Sequence, residues 1–509
     1  MLVHGRLLVH WNDGSVTLTV AAAGAIAAAI GSDTVADEFI AEVGNLYGER
    51  QVIKGSVTAT VLAGGLIDAA IGASTQAITE VGDIGASVEG NVSEHAFATG
   101  AVNAAIGYKS YAYMDIGGIY GNIDGNVVST VDANLLVNAA IGSETSAVAM
   151  VGVINPQPHS KGLTLKVTAP AVVNAAIGHR STANVLIGNV DGKLSHTFHH
   201  TVRAIATVSA AIGDNSTSKV AIGNVSGDIA GTYTNNIIVG GAIAASIGSN
   251  TNATISIGNI RPLARLTGTG HVNVTTGVAL AAAISSNSTA SVSIGNIMSP
   301  IGGNTKVDII VGAVTTASLG DNTSAIVSIG DVTNTIGGSL TSNITAGAVT
   351  AFSLGVDASA AAYIGTISQP VGGKVTMNIT TGEVFVGAMG YNNAAVTHIG
   401  HIEKPVAGDL VVNIVVGGVN NFSFGVGSSG DPLTSRISIG SVLSPETAAN
   451  DPTDINVHKG SINALSFGFT FHIPVLGTYF VGETGCESYG NVGSEGCSAH
   501  DNKLRITHE

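Results

Sequence analysis

Residues 305–336 read TKVDIIVGAVTTASLGDNTSAIVSIGDVTNTI. Lys306 to Val311 is rich in β-branched residues and largely alternates, as a half-buried strand does. Ala317-Ser318-Leu319-Gly320 follows, and then Asp321-Asn322-Thr323-Ser324, which is turn chemistry. Ala325 to Gly330 alternates again, and a variable Gly-rich loop from Asn334 to Gly338 closes the segment. Two strands fill the unit, a long one ending at Gly320 and a shorter one carrying Gly330.

The unit recurs along the whole chain. Its first glycine, in Ala-Ala-Ile-Gly or a degenerate form, falls at Gly31, Gly72, Gly107, Gly142, Gly178, Gly213 and Gly248. Ser285 takes the place once, and Gly320, Gly355, Gly390, Gly425 and Gly468 follow. The spacings are 41, 35, 35, 36, 35, 35, 37, 35, 35, 35, 35 and 43. A second glycine follows ten residues later, from Gly82 through Gly117, Gly152, Gly188 and Gly223 to Gly400. Fixed periods of this size indicate solenoids, propellers or arrays. Helical repeats need Leu, Glu, Lys and Arg at 3.6 spacing, whereas Thr, Ser, Val, Ile and Gly dominate here. Propeller blades need four strands and aromatic signatures, and this chain has one Trp. The reading is all-β: a β-solenoid of about 13 repeats of about 35 residues. Each repeat has two strands, and coils stack through parallel pairing about 4.8 Å apart. One or two coils per repeat both satisfy the pattern. Residues 1–482 form one repeat array, and 483–509 a polar tail with two Cys.

Composition narrows the function. Of 509 residues, 68 are Gly, aromatics are 4% and charged residues only 10%, yet 45% are apolar, so the chain is no disordered polar tract. The formal net charge of −15 with 19 Lys+Arg argues against nucleic acid as a partner. The longest apolar run, Val20 to Ile30, is too short for a membrane span. The N-terminus lacks a secretory signal pattern, so either the protein is not exported by that route or the chain begins inside a longer precursor. Solenoid carbohydrate enzymes gather Asp, Lys or Arg on one face; these residues are spread thinly here, and no phosphate-binding loop motif occurs. The chain is therefore expected to be no enzyme and to need no cofactor. His196 and His200 are expected on one strand face, a spacing at which neutral imidazoles can hold a metal, but the segment reads first as a variable loop, and no metal site is assigned.

Equivalent positions carry like residues. Four residues before the first glycine stands a polar series, Asp68, Asn103, Asn138, Asn174 and Ser209, expected to form a buried amide-to-amide column. A second series follows the second glycine: Asn189, Asn224, Asn259, Asn296 and Asp331. The apolar residue before the first glycine drifts from Ile to Leu319 and Leu354, Met389, and Phe424 and Phe467, which predicts a core widening toward the C-terminus. Asn-x-Ser/Thr occurs ten times. Asn215, Asn287 and Asn322 fall in the turn after the first glycine, where they are expected to be exposed and open to glycosylation. Cys486 and Cys497 enclose ten residues, so a local disulfide is sterically easy.

These short strand–turn–strand units with Asn, Ser, Thr, Ala and Gly at fixed places resemble secreted microbial β-solenoid and functional-amyloid-like fibre proteins, such as curli-type subunits and filamentous adhesins. The resemblance implies an extracellular or cell-surface, non-enzymatic structural role in a filament, biofilm matrix or surface layer. The partner would be the chain itself, joined head to tail. The other reading is an adhesin or fibre-type binding module that recognises a surface ligand, such as a glycan, through its loop insertions. The repeat begins within the first twenty residues with no amphipathic helix ahead of it, which predicts an uncapped, polymerising start.

Overall fold

A computed structural model describes residues 14–33, 35–44, 52–154, 159–194, 196–226, 228–261, 266–426 and 434–441. It also describes the strands Thr453–Gly468, His472–Ile473, Gly477–Thr478 and Gly485–Tyr489. Among these residues there is no helix, and so none long and apolar enough to cross a membrane. The chain divides into two compact units. One comprises residues 1–248, 254–278 and 298–303, and the other 249–253, 279–297 and 304–509.

Both units are β-solenoids with turns of about 35 residues. In the first, the long strands Val16–Ile30, Val57–Ile71 and Val92–Ile106 pair in parallel in chain order. The sheet continues through Leu135–Ile141, Gly162–Ile177, Phe198–Ile212 and Tyr233–Ile247. The short strands Val35–Ile40, Gln76–Val81, Tyr111–Ile116, Ser146–Val151, Thr182–Ile187 and Thr217–Ile222 stack likewise in a second sheet. The other unit repeats the scheme with long strands Thr305–Leu319, Leu340–Val356, Val375–Tyr391 and Leu410–Val426. Its short strands include Ser324–Ile329, Ser359–Ile364 and Ala394–Ile399.

The register settles how many coils a repeat makes. Ile71 pairs with Ile106, Ile106 with Ile141, and Leu319 with Leu354, so one repeat is one coil. A third side of each coil is a single bridge after the second glycine, as in Ile84 to Ile119 and Ile367 to Ile402. The long strand changes phase once, at a bend. Val57, Ala59, Val61 and Ala63 point inward, and then Leu66, Asp68 and Ala70 do. Pro170 sits at this bend, between the paired residues Ala169 and Ala171, where a missing N–H is tolerated within a sheet.

The two sheets meet on alanine. Ala70, Ala105, Ala140, Ala176 and Ala211 pack with Ala77, Ala112, Ala147 and Ala183 of the short strands. Where a coil replaces the long-strand alanine by serine, the hydroxyl meets another: Ser246 lies 2.7 Å from Ser216, and Ser318 lies 2.7 Å from Ser288. A buried hydroxyl is admitted where it has a partner.

The expected widening of the core does not occur. Strand alternation points the second alanine inward and the residue before the glycine outward. Ile71 is 44% exposed, and Ile106, Ile141, Ile177 and Ile212 are each 40% exposed. The drift to Leu, Met and Phe thus changes an outer column, in which each side chain is covered mainly by its neighbours above and below. With Val102, Val173 and Ile243, which stand two outward rows in, these residues make an apolar, uncharged outer face in the first unit.

The turn after the first glycine requires unusual backbone. Gly142 has φ +145, and a Cβ there would lie 1.6 Å from the Gly107 carbonyl oxygen. Two positions on, residues such as Asn215, Asn287, Asn322 and Asn392 adopt left-handed φ between 52 and 56, which Asn tolerates best after Gly. Ser285 holds the glycine position with φ 125. Gly142→Ala is expected to destabilise the fold by about 2 kcal/mol or more, and Ser285→Gly to stabilise it by about 1 kcal/mol. The urea midpoints of the two single variants should move in opposite directions; movement in the same direction would refute the backbone argument.

Candidate functional site

The second glycine of each repeat ends the short strand and turns the chain; Gly400, with φ 63, is one such turn. The residue two before this glycine and the residue one after it stand three apart and meet across the bend. Asn259 Nδ2 donates to Ser256 Oγ at 2.7 Å, and Asn296 Nδ2 to Ser293 Oγ at 2.8 Å. Ser328 donates to Asp331, and Ser438 Oγ to Ser441 Oγ at 2.9 Å. Among the described residues this corner gathers buried polar and charged side chains such as Glu80, Asp83, Asp115, Asp331 and His401.

The second polar series serves the corner. Asn189 Oδ1 accepts the Asn224 backbone N–H at 2.9 Å, and Asn224 Oδ1 accepts that of Asn259 at 2.9 Å. Asn296 Oδ1 likewise accepts the Asp331 N–H at 2.8 Å. Each side chain thereby satisfies a donor of the next coil where the regular sheet stops.

In the first unit the same corner is acidic. Glu80 and Asp83 occupy the two positions in one coil, and Asp115 the first position in the next. Asp83 Oδ1 accepts the Gly118 N–H at 2.6 Å. Asp115 Oδ2 accepts Tyr113 Oη–H at 3.1 Å and also the Tyr120 hydroxyl. Glu94, from the facing long strand, accepts Ser129 Oγ–H at 2.8 Å. Burial pushes Asp83 well above the carboxylate range, with the charges of Asp115 and Glu80 adding to it. Burial also lifts Glu94 to about 8 and Asp115 to about 7.

In the other unit one corner carries two imidazoles, His398 and His401, with Glu403 two residues on. The rings stand 4.6 Å apart, tilted by 55°. His401 Nε2 lies 3.7 Å from Glu403 Oε1, and His401 Nδ1 lies 3.2 Å from Ser438 Oγ of the next coil. One ligand atom from each of the three residues falls within 4.8 Å of the others, the one such group of three among the described residues. Sequence reasoning passed over it. The available signal was His-x-x-His-x-Glu laid across the second glycine, at positions that hold Ser and Asn elsewhere.

The first polar series is buried as a tie between sheets. Asn103 Nδ2 donates to the carbonyls of Ala77 at 2.8 Å and Tyr113 at 2.6 Å, which belong to successive short strands. Asn174 Nδ2 does the same with Ala147 at 2.8 Å and Asn184 at 2.9 Å. Asn138 Nδ2 reaches Ala112 O at 3.1 Å and Val148 O at 2.9 Å, and also makes an amide-to-amide contact with Asn174 Oδ1 at 3.1 Å. Ser209 Oγ donates to Ala183 O at 2.9 Å, and Asp68 accepts from Thr79. The thin alanine core brings short-strand carbonyls closer than the next amide, so the bonds run mainly across the core.

A continuous amide column lies elsewhere, on the outer face of the long strands. Asn343 Nδ2 donates to Asp308 Oδ1 at 2.7 Å, Asn378 to Asn343 at 2.8 Å, and Asn413 to Asn378 at 2.9 Å. Its sequence signal was Asp or Asn recurring twelve residues before the first glycine.

His196 and His200 do not share a strand face. The strand starts at Phe198, whose ring is buried in a stack with Tyr233, with centroids 5.2 Å apart. Alternation from there buries His200 and leaves His196 exposed ahead of the strand. Burial pushes His200 down to about 4. Asn215, Asn287 and Asn322 are exposed in the turn. Asn287 Nδ2 donates to Asn250 Oδ1 at 2.9 Å, and Asn322 Nδ2 to Asn287 Oδ1 at 3.2 Å. Cys486 lies on the strand Gly485–Tyr489, and Cys497 and the cysteine pairing lie outside the described residues. No family model matches the chain, and no curated protein or solved structure matches it.

Two outcomes follow for stability. Asn138→Leu keeps the volume but leaves two short-strand carbonyls without their donor. It should cost about 1–3 kcal/mol, whereas Asn334→Leu, at a half-buried loop position whose Oδ1 accepts the adjacent Thr335 N–H at 2.8 Å, should cost clearly less; equal shifts in the unfolding midpoint would refute the tie. The acidic corner sets a pH dependence. Unfolded carboxyls titrate near 4, so below that pH both states are protonated and stability is complete. Above it the unfolded chain ionises first, and stability falls as pH rises through about 7 to 8, where Asp115 and Glu94 ionise in the fold. Thermal unfolding should therefore begin at a lower temperature at pH 8 than at pH 5. The triple variant Asp83→Asn, Glu94→Gln, Asp115→Asn should flatten the difference; an unchanged profile would contradict the assignment.

Proposed function

We propose that the chain is a non-enzymatic structural subunit of an extracellular filament, matrix or surface layer, adding end to end through open β-edges. The observation that carries this reading is the first described coil. Val61, Ala63 and Leu66 are buried in the second coil, yet their in-register counterparts Val20, Ala22 and Ala25 are only half-buried. Among the described residues, the long strand Val16–Ile30 has a pairing partner on one side alone. An uncovered coil with small uncharged side chains offers the next molecule the same backbone edge that each coil offers its successor. Head-to-tail contact of this kind propagates unless its rotation closes a ring. The exposed Ile and Val columns give the proposed filaments an apolar flank for lateral association. Extracellular residence is supported by the lack of cysteine before residue 486.

Inward-pointing charge on the terminal coil tests the mechanism, because it blocks an edge without touching the stacked coils. Purified protein should form filaments under negative stain, with a repeat near 4.8 Å along the axis. The double variant Val20→Lys, Ala22→Lys should retain β-sheet circular dichroism and stay monomeric. Monomeric wild-type protein at high concentration, or undiminished polymerisation of the variant, would overturn the proposal.

A further inference from the structure

The His398–His401 corner stands apart from its equivalents. In several other coils the same two positions hold a hydrogen-bonded polar pair, such as Ser256 with Asn259 at 2.7 Å and Ser293 with Asn296 at 2.8 Å. Here the same backbone delivers two imidazoles to one point, and no comparable hydrogen bond joins them. His398 Nε2 is buried with no hydrogen-bond partner among the described residues. The neutral imidazole is the form that ligates metals. Ser438 contacts Nδ1 of His401, which leaves Nε2 on the side of Glu403. A hydrogen bond to the far nitrogen is how proteins commonly orient a ligating imidazole.

We propose that His398, His401 and Glu403 bind one transition-metal ion, Zn²⁺ by preference, which staples the corner of this coil. Two imidazole nitrogens and one carboxylate oxygen suit a borderline ion, whereas Ca²⁺ and Mg²⁺ demand oxygen ligands. Tetrahedral ligands at bond lengths of about 2.0–2.1 Å stand about 3.3 Å apart. The observed separations, all within 4.8 Å, therefore close by small side-chain rotations. Glu403 is exposed, so the ion has a route in, and a water completes the fourth position. The charge of Arg436 acts on His398 and opposes a cation there, and Glu403 supplies the negative ligand. Because the ion bridges the short strand Ala394–Ile399 and the bridged segment at Ile402, it binds the folded corner and not the unfolded chain. The assembly reading above can fail without affecting this site.

The test uses full-length protein stripped with chelator and titrated with Zn²⁺, Ca²⁺ or Co²⁺ alone. One Zn²⁺ per chain should bind in calorimetry and raise the thermal midpoint, Ca²⁺ should leave the midpoint unchanged, and Co²⁺ should develop the visible absorption of a tetrahedral nitrogen–oxygen site. His398→Gln should abolish these effects. Glu403→Gln alters an exposed residue and so leaves folding intact; it should weaken binding at least about tenfold, since even orienting partners are worth that much. His199→Gln, an exposed histidine elsewhere, should change nothing. A Zn²⁺ titration that is the same in Glu403→Gln as in wild type marks adventitious binding and overturns the site, as does a midpoint shift common to Zn²⁺ and Ca²⁺.

Discussion

Every residue of a coil lies one strand spacing from its own counterpart, and the rest of the molecule follows from that constraint. In-register parallel pairing, Asn138 on Asn174 and Ile309 on Ile344, turns each position of the repeat into a column. Residues that tolerate their own kind at that distance recur: alanine on alanine, β-branched chains on β-branched chains, amides on amides. The first glycine is the strictest case. A Cβ at Gly178 would come within 1.3 Å of the Gly142 carbonyl oxygen. Charge is the residue property least compatible with such columns, and 10% charged residues is the compositional trace of that pressure.

The thin core has a second consequence. With only alanine between the sheets, carbonyls of the short strands lie within reach of side chains on the long strand. Asn103, Asn138 and Asn174 use that proximity to tie three strands each, and Ser246 and Ser318 use it to seat hydroxyls where other coils have methyl groups. Larger side chains such as Leu66, Met114 and Ile116 fill the core away from the alanine contact, while Ile71, Ile106 and Ile141 stand in an outer column.

The corner after the second glycine keeps the register, with His398 between Tyr363 and Ser438, but its residues also meet across a bend, where a partner in the same coil can satisfy a polar side chain. It can therefore vary from coil to coil: acidic at Glu80 and Asp83, amide-rich at Asn224 and Asn259, imidazole at His398 and His401. A scaffold of near-identical coils thereby carries different local chemistry along its length. The buried carboxyls Asp83, Glu94 and Asp115 are held in their protonated range by burial, and burial pushes the His398 imidazole down to about 4.

The repeat period, the two strands per unit, the turn between them and the stacking of coils were all legible in the sequence, because parallel register copies the period directly into space. The burial of Asp68, Asn103, Asn138, Asn174 and Ser209 was legible too, since four residues before a strand-ending glycine fixes the face. Three matters were decided only by the tertiary structure. Which residues before the bend share a face with those after it depends on the phase change near Gly64 and Pro170, and no local pattern reports that a strand has changed face. Where the Asn138 amide finds its acceptors depends on the separation of two sheets, a property of the assembled core. The meeting of His398, His401 and Glu403 depends on the left-handed turn at Gly400, which folds an unremarkable spacing into a single point.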